Sequence, residues 1–596
     1  MLKKILKFVG LLYIILIIAI IIFGFANNWV KRQIDPLTVL EFNFERTFTE
    51  GPQNFGYAAL FEGKSTSTLD VVSALERASN DKRVWGLVAR VGESNNLSMA
   101  QIQEIRDAVI EFRAKGKKAI AWAETFGEFG PGNKSYYLAT AFDKIYLVPT
   151  GDLGLTGLFY GVGFVSGTLN KLNVEPELRH RYQYKNFMNM FTEKKFTKPH
   201  KEALLSVMNS QFNQLVTAIS EARGMAPPAV ERLIDKAPYL AQEAKEKGLV
   251  DGLLYEDEVY DRVMKEAGEG AALLYLRKYL SYAGGPWREG KVIALIQGKG
   301  PINRGKSSYD PMLSTFTMGS DTLTNAFEDA IRDDKVKAIV FRVDSPGGSA
   351  VASDVIAREI EVAKRKGKPV IISMGNVAAS GGYWISMNAT KIVAEPGTIT
   401  GSIGVLGGKF YTRNFWNKLG VTWDEVHTSR NSTMWSTINE YSTDEQQKVD
   451  LWLDNIYQDF VSKVARGRGM SEERVHQIAK GRIWTGEQAK KLGLVDALGG
   501  YKRAIRLAKE ASGIPISEPI RLKYFPKRKS VFQRLLDYMI GGDNGRSSGA
   551  EVRFTALNAA IKMGEPFLKS AYILGREPGE SAVLTPFYLF NTQNPH

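Results

Sequence analysis

"FEDAIRDDKVKAIVFRV", residues 327–343, repeats the pattern of "LERASNDKRVWGLVARV", residues 75–91. Each reads as the end of an amphipathic helix, a charged turn and a short apolar strand. The correspondence continues in the same order. "IRDAVIEFRAKGKKAIAWAE" (105–124) answers "IAREIEVAKRKGKPVIISMG" (356–375), and "YYLATAFDKIYLVPTGDLGLTGL" (136–158) answers "YWISMNATKIVAEPGTITGSIGV" (383–405). "LAQEAKEKGLVDGL" (240–253) then matches "WTGEQAKKLGLVDAL" (484–498), and matched positions stay about 244–252 apart throughout. That constancy is the mark of one domain copied in tandem. "AIVFRV" and "PVIISM" are continuous apolar runs of strand length, as strands covered on both faces require. Their alternation with helical stretches predicts an α/β fold built on largely parallel sheets. The glycine-containing turn "SYAGGPWREGK" (281–291) marks the boundary, giving domains over 31–285 and 286–525.

Length and composition agree with two folded units. Single cores rarely grow beyond roughly 250–300 residues, and the chain has 596. It contains no cysteine, which excludes disulfides, thiolate zinc sites and cysteine nucleophiles. The formal charge is +14, but no nucleic-acid motif accompanies it, so the lysines and arginines read as solvated helix faces. At the N-terminus "MLKKILK" precedes "FVGLLYIILIIAIIIFGFA" (8–26), a run without a charged residue. At 1.5 Å per residue it reaches roughly 28 Å, close to a hydrocarbon core. The preceding lysines favour a cytoplasmic N-terminus with the body on the far side. A cleaved signal peptide ending at "GFA" is the rival reading; the length of the run favours a retained anchor over 1–30. The segment 526–596 has no partner in the repeat, includes the glycine- and serine-rich "GGDNGRSSG" (541–549), and receives no role.

The two copies differ where chemistry would sit. After "AIVFRV" the second copy has "DSPGGS" (344–349), whereas the first has "GESNNL" (92–97). Ser380-Gly381-Gly382-Tyr383 stands against Asn133-Lys134-Ser135-Tyr136, and "TGS" (400–402) against "TGL" (156–158). Three features vanish together, at consecutive strand ends of an α/β layer where ligands tend to bind. Each alone is a common turn or packing feature. Together they fit acyl transfer: Ser380 supplies a hydroxyl, and the backbone N–H groups of Gly348 and Gly381 are placed to stabilise an oxyanion. Ser345 and Ser349 beside the Pro-Gly turn read as caps. "QGKGPINRG" (297–305) lacks the spacing of a phosphate loop and reads as a strand end. The five histidines, His180, His200, His427, His476 and His596, sit in no motif of a catalytic base.

"DSPGGS", "AASGGYW", "TGSIGV" and "AKKLGLVD" resemble the signal peptide peptidase A (protease IV) family over roughly residues 40–520. The resemblance implies two tandem domains of the fold shared by Clp protease and crotonases, behind a membrane anchor. It implies Ser380 as nucleophile and a lysine as general base, donated by the first copy from a "Y-K" segment. "RYQYKNF" (181–187) is the match, giving Lys185, although "NFMNMF" after it departs from the family's small and acidic residues. Ser402 is implied as the residue that orients the lysine. A lysine of ordinary pKa is protonated at neutral pH, so burial between the halves must lower it. The second copy carries Arg430 at the equivalent place, and a guanidinium is too basic for that role. The family further implies peptide substrates such as remnant signal peptides, a homotetramer at the inner membrane with its catalytic body outside the cytoplasm, and no cofactor, metal or nucleic acid. Two other classes share these features: a crotonase-like acyl-coenzyme A enzyme, and an inactive peptide-binding membrane scaffold.

Overall fold

In the strand Val336–Ser345, Ile339, Phe341 and Val343 point into one apolar cluster while Ala338 and Val340 point into another. A strand clothed on both faces can be apolar without interruption, which is why "AIVFRV" shows no alternation. The same division holds in Val84–Arg90, where Leu87 and Ala89 enter one cluster and Val88 the opposite one. The computed structural model describes residues 34–46, 48–50, 66–92, 97–310, 315–526 and 582–583. The run 8–26 read as an anchor lies outside the described residues, among which no helix is long and apolar enough to cross a membrane.

Each copy builds its own parallel sheet. In the first the strand order is Gly252–Leu253, Lys144–Leu147, Lys118–Ala123, Val84–Arg90, Thr38–Asn43, Ala272–Tyr275, all neighbours parallel. The second repeats it as Ala497–Leu498, Lys391–Ala394, Val370–Ala379, Val336–Ser345, Lys291–Lys299, Ile520–Phe525. A further branch, Ile399–Gly401 beside Val370–Ala379 and Ile483–Thr485 antiparallel to it, is attached at the end where Ser380 lies. Tyr524 and Phe525, which open the basic run "YFPKRKS" (524–530), thus belong to an edge strand whose counterpart is Ala272–Tyr275. Helix starts follow their caps: Ser98 accepts from the Gln101 N–H while Gln101 reaches back to the Ser98 N–H, opening Met99–Ala114.

Several connections lock the halves together, a crossing strand and a buried ion cluster among them. The strand Glu175–Arg181 of the first half leaves its own sheet and pairs antiparallel with Val405–Tyr411 of the second, Arg181 opposite Val405. Arg179 and Arg181 fix it from the side, through Asp450 at 2.7 and 3.0 Å and through Asp454. Deeper in, the fully buried guanidinium of Arg342 donates to Glu104 at 3.0 Å and Ser373 at 2.9 Å, pairs with Glu50, and stacks 4.3 Å from the Tyr501 ring. Glu50 and Glu104 belong to the first half, Arg342 to the second. Removing one partner of such a buried cluster typically costs about 3–5 kcal/mol, because it strands a charge.

Candidate active site

The strand Val370–Ala379 delivers Ser380 at the end where the two halves meet, and the chain turns at once into the helical turn Gly381–Trp384. Ser380 has φ 58° and ψ −118°, backbone that only a constrained loop imposes on a residue with a Cβ. The constraint is visible. Its N–H donates to Gly401 O at 2.8 Å, and its carbonyl accepts from the Tyr383 and Trp384 N–H groups.

Lys185 follows the Glu175–Arg181 strand that crosses between halves, and its Nζ lies 2.5 Å from Ser380 Oγ. The same nitrogen donates to Ser402 Oγ at 3.1 Å and to Ser402 O at 3.0 Å. Among the described residues it makes no ion pair, and it is 1% exposed. Burial without a counter-charge holds its pKa well below the usual lysine range. An uncharged amine at this distance can accept the serine proton. Ser402 also has positive φ, 52°, and its N–H donates to Arg482 O at 2.7 Å, so the loop Lys480–Arg482 braces both it and the lysine. Gly481 packs so closely on the Lys185 backbone that a Cβ there would sit 2.5 Å from the Lys185 main-chain nitrogen, at φ +83°. Sequence reasoning passed over Gly481; a lone glycine in "KGR" carries no signal beyond a turn.

Gly348 and Gly381 converge. A Cβ on Gly381 would meet Ser353 Oγ at 2.6 Å and the Gly348 nitrogen at 3.1 Å, while one on Gly348 would meet Ile302 O at 2.1 Å. Only bare backbone fits, which is the reason for the glycines in both motifs. The neighbouring serines are occupied otherwise: Ser349 Oγ accepts from Ala352 N–H as a helix cap, and Ser345 Oγ donates to Gly300 O at 2.7 Å. Asp344 of "DSPGGS" accepts from Val377 N–H at 3.0 Å, holding the bulge where the Val370–Ala379 strand shifts register towards Ser380. Burial raises its pKa to about 6.

The first half contains the same corner without the chemistry. Asn133 stands where Ser380 would be, and its side-chain amide both donates to Gly157 O at 2.8 Å and accepts from Gly157 N–H at 3.0 Å. Arg430, the counterpart of Lys185, is exposed and pairs with Asp444 at 3.3 Å.

The family model and the sequence relatives agree on the class. The model of peptidase family S49 matches residues 111–269 and 362–515. Protease 4 of Salmonella typhi is 32% identical over 502 residues, covering 82% of this chain and 79% of that one. The chloroplastic serine protease SPPA of Arabidopsis thaliana is 30% identical over 458 residues, covering 75% and 66%. A solved structure of the 1510-N membrane-bound stomatin-specific protease, a mutant in complex with a substrate peptide, is 19% identical and covers 42% of this chain and 99% of that one, with a TM-score of 0.26. The protein is a serine-type endopeptidase. It belongs to peptidase family S49, with the family domain present twice.

Proposed function

We propose that the chain is a membrane-anchored endopeptidase working through a Ser380–Lys185 dyad, on remnant signal peptides and other unfolded apolar segments. The observation that carries the reading is the 2.5 Å approach of a buried, uncompensated Lys185 amine to the Ser380 hydroxyl. Ser380 Oγ attacks a peptide carbonyl as its proton passes to Lys185 Nζ. The Gly348 and Gly381 N–H groups receive the oxyanion, a contribution of about 2.7–4 kcal/mol per donor in comparable sites. Lys185 returns the proton to the departing amine, and water hydrolyses the acyl-enzyme by the same route in reverse. Ser402 holds the amine on line. No cofactor takes part in these steps.

The Clp protease/crotonase-like assignment of each half, the inner-membrane anchor over 1–30, the extracytoplasmic body and the homotetramer belong to the same proposal. Support for self-assembly comes from the duplication. In the second half the strand end at Arg342 is covered by Glu50 and Glu104 of the preceding half. The equivalent end of the first half, at Arg90 and Trp122, borders an open cavity of about 700 Å³ rimmed by Phe129 and Leu240, which are 101% and 69% exposed. A second copy presenting its own second half there repeats the internal contact, and a heterologous contact of this kind closes into a ring or runs on.

Incubation with a serine-directed fluorophosphonate followed by peptide mass mapping tests the dyad reading. Label on Ser380 together with hydrolysis of an apolar peptide is the expected result. Absence of label with turnover of an acyl thioester supports the acyl-coenzyme A alternative, and absence of both supports a peptide-binding scaffold.

A further inference from the structure

The Arg482 side chain joins the segments that carry Lys185, Ser380 and Ser402. Its guanidinium lies 4.4 Å from the Trp484 ring and 4.9 Å from the ring of Tyr184, the residue before Lys185. Both terminal nitrogens donate to Glu202 on the first-half helix Lys198–Arg223, one of them to Oε1 at 2.7 Å. Trp484 in turn packs on Gly401, where a Cβ would sit 2.8 Å from the indole Cδ1. Gly401 O is the acceptor for the Ser380 N–H. The main chain completes the set: Arg482 O receives the Ser402 N–H at 2.7 Å, and Lys480 O receives the Tyr184 N–H at 3.1 Å. The Arg482 side chain is nearly buried in this position, while Glu202 keeps one side towards solvent.

Lys185 has no ion pair among the described residues, so its lowered pKa depends on how completely its surroundings exclude water. A planar guanidinium forked onto a carboxylate and stacked on aromatic rings is a rigid spacer. An ammonium on a flexible stem does not reproduce it. We propose that the Arg482–Glu202 pair is a positioning clamp for the dyad, holding the Lys480–Arg482 loop against Lys185 and keeping the amine dry. The inference rests on the reading of Lys185 as the base, and it adds two residues that reach the reacting atoms only through others. Glu202 is suited to the part, because Arg482 holds its carboxyl below the usual range against a little burial, with the Tyr184 hydroxyl adding to the effect. Two imidazoles lie nearby, His180 on the crossing strand and His476, which meets the Tyr457 hydroxyl at 2.9 Å. Burial lowers the pKa of both, and an ionisation that belongs to either survives in Lys185→Ala.

The test reads kcat against pH on a short apolar peptide, using the full chain as wild type, Arg482→Ala, Arg482→Lys, Glu202→Gln and Lys185→Ala. Sites are counted by fluorophosphonate titration to completion, so that misfolded chains drop out of kcat. Loosening the clamp lets water reach Lys185 and raises its pKa, which moves the acid limb of kcat to higher pH. The limb is expected to move by about one pH unit in Arg482→Ala with KM little changed, about 10-fold in neutral amine on its acid side. Glu202→Gln should move it the same way by less, and Arg482→Lys should fall between Arg482→Ala and wild type. Glu202→Gln separates a clamp from a bare charge: if Arg482 acted only as a cation near Lys185, removing the Glu202 charge would move the limb to lower pH. A limb that stays in place in either Arg482→Ala or Glu202→Gln, one that moves to lower pH in Glu202→Gln, or full recovery in Arg482→Lys overturns the clamp and leaves the dyad standing. A limb that persists unchanged in Lys185→Ala overturns the dyad, and the clamp with it.

Discussion

Lys185 Nζ and Ser380 Oγ lie 2.5 Å apart although 195 residues separate them in the chain and different halves carry them. The contact exists because the Glu175–Arg181 strand abandons its own sheet for Val405–Tyr411. Lys185→Ala is expected to lower kcat by roughly 10²–10⁴-fold, the usual contribution of a positioned base, with KM little changed. Lys185→Arg should be equally inactive, because a guanidinium keeps its proton. Steady-state kinetics on a short apolar peptide check both, and an active arginine variant would contradict the role.

Ser402→Ala removes one of the two oxygens that hold the lysine and leaves the Ser402 carbonyl in place. A single neutral hydrogen bond contributes about 1 kcal/mol, so kcat should fall about five-fold while KM holds. Ser402→Gly removes the same hydroxyl, adopts a φ of 52° without strain and should show the same loss. A change confined to KM would place Ser402 on the substrate rather than on the lysine.

Gly381→Ala drives a methyl group to 2.6 Å from Ser353 Oγ and 3.1 Å from the Gly348 nitrogen. Displacing one oxyanion donor is expected to cost about 10²–10³ in kcat. Adding Ser353→Gly clears the closest of three contacts, the others being the Gly347 Cα and the Gly348 nitrogen at 3.1 Å, and should restore part of the rate. Equal activity of the single variant and wild type would remove Gly381 from the oxyanion site.

Glu395 sits at the junction of the halves, 1% exposed, with neither carboxylate oxygen hydrogen-bonded among the described residues. Burial first, then Asp107 and Glu104, push its pKa well above the ordinary 4.5. The folded state therefore binds a proton that the unfolded state releases. Its stabilising share is complete below pH 4.5 and is lost as pH rises through the folded value. Glu395→Gln should be more stable than wild type at alkaline pH, with the gap closing towards acid. Melting curves across pH measure this; parallel curves would mean that Glu395 does not titrate in that range.

Much of this was legible before the fold was known, and the reasons are local. Duplication, parallel sheets and the Ser380, Gly348 and Gly381 corner could be read because each rests on a few consecutive residues with a fixed geometric need. Lys185 could be read only through the family resemblance, since "RYQYKNF" is an ordinary polar segment until a second half folds over it. The crossing strand was hidden for a similar reason. "EPELRHR" carries a charge at four of its seven positions, and it becomes a strand because Asp450, Asp454 and the edge of Val405–Tyr411 accept it. Arg342 with Glu50 and Glu104 left no trace in the motif pattern, because contacts over 292 and 238 residues are set by how the halves dock.

The most direct test of the account is the pH dependence of acylation, followed as the pre-steady-state burst of product from an excess of an activated apolar ester. The acylation rate is expected to rise along one ionisation lying well below the lysine value of 10.5, and that limb should vanish in Lys185→Ala. A limb that persists unchanged in Lys185→Ala, or activity appearing only above pH 10.5, would show that Lys185 is not the group that takes the proton from Ser380.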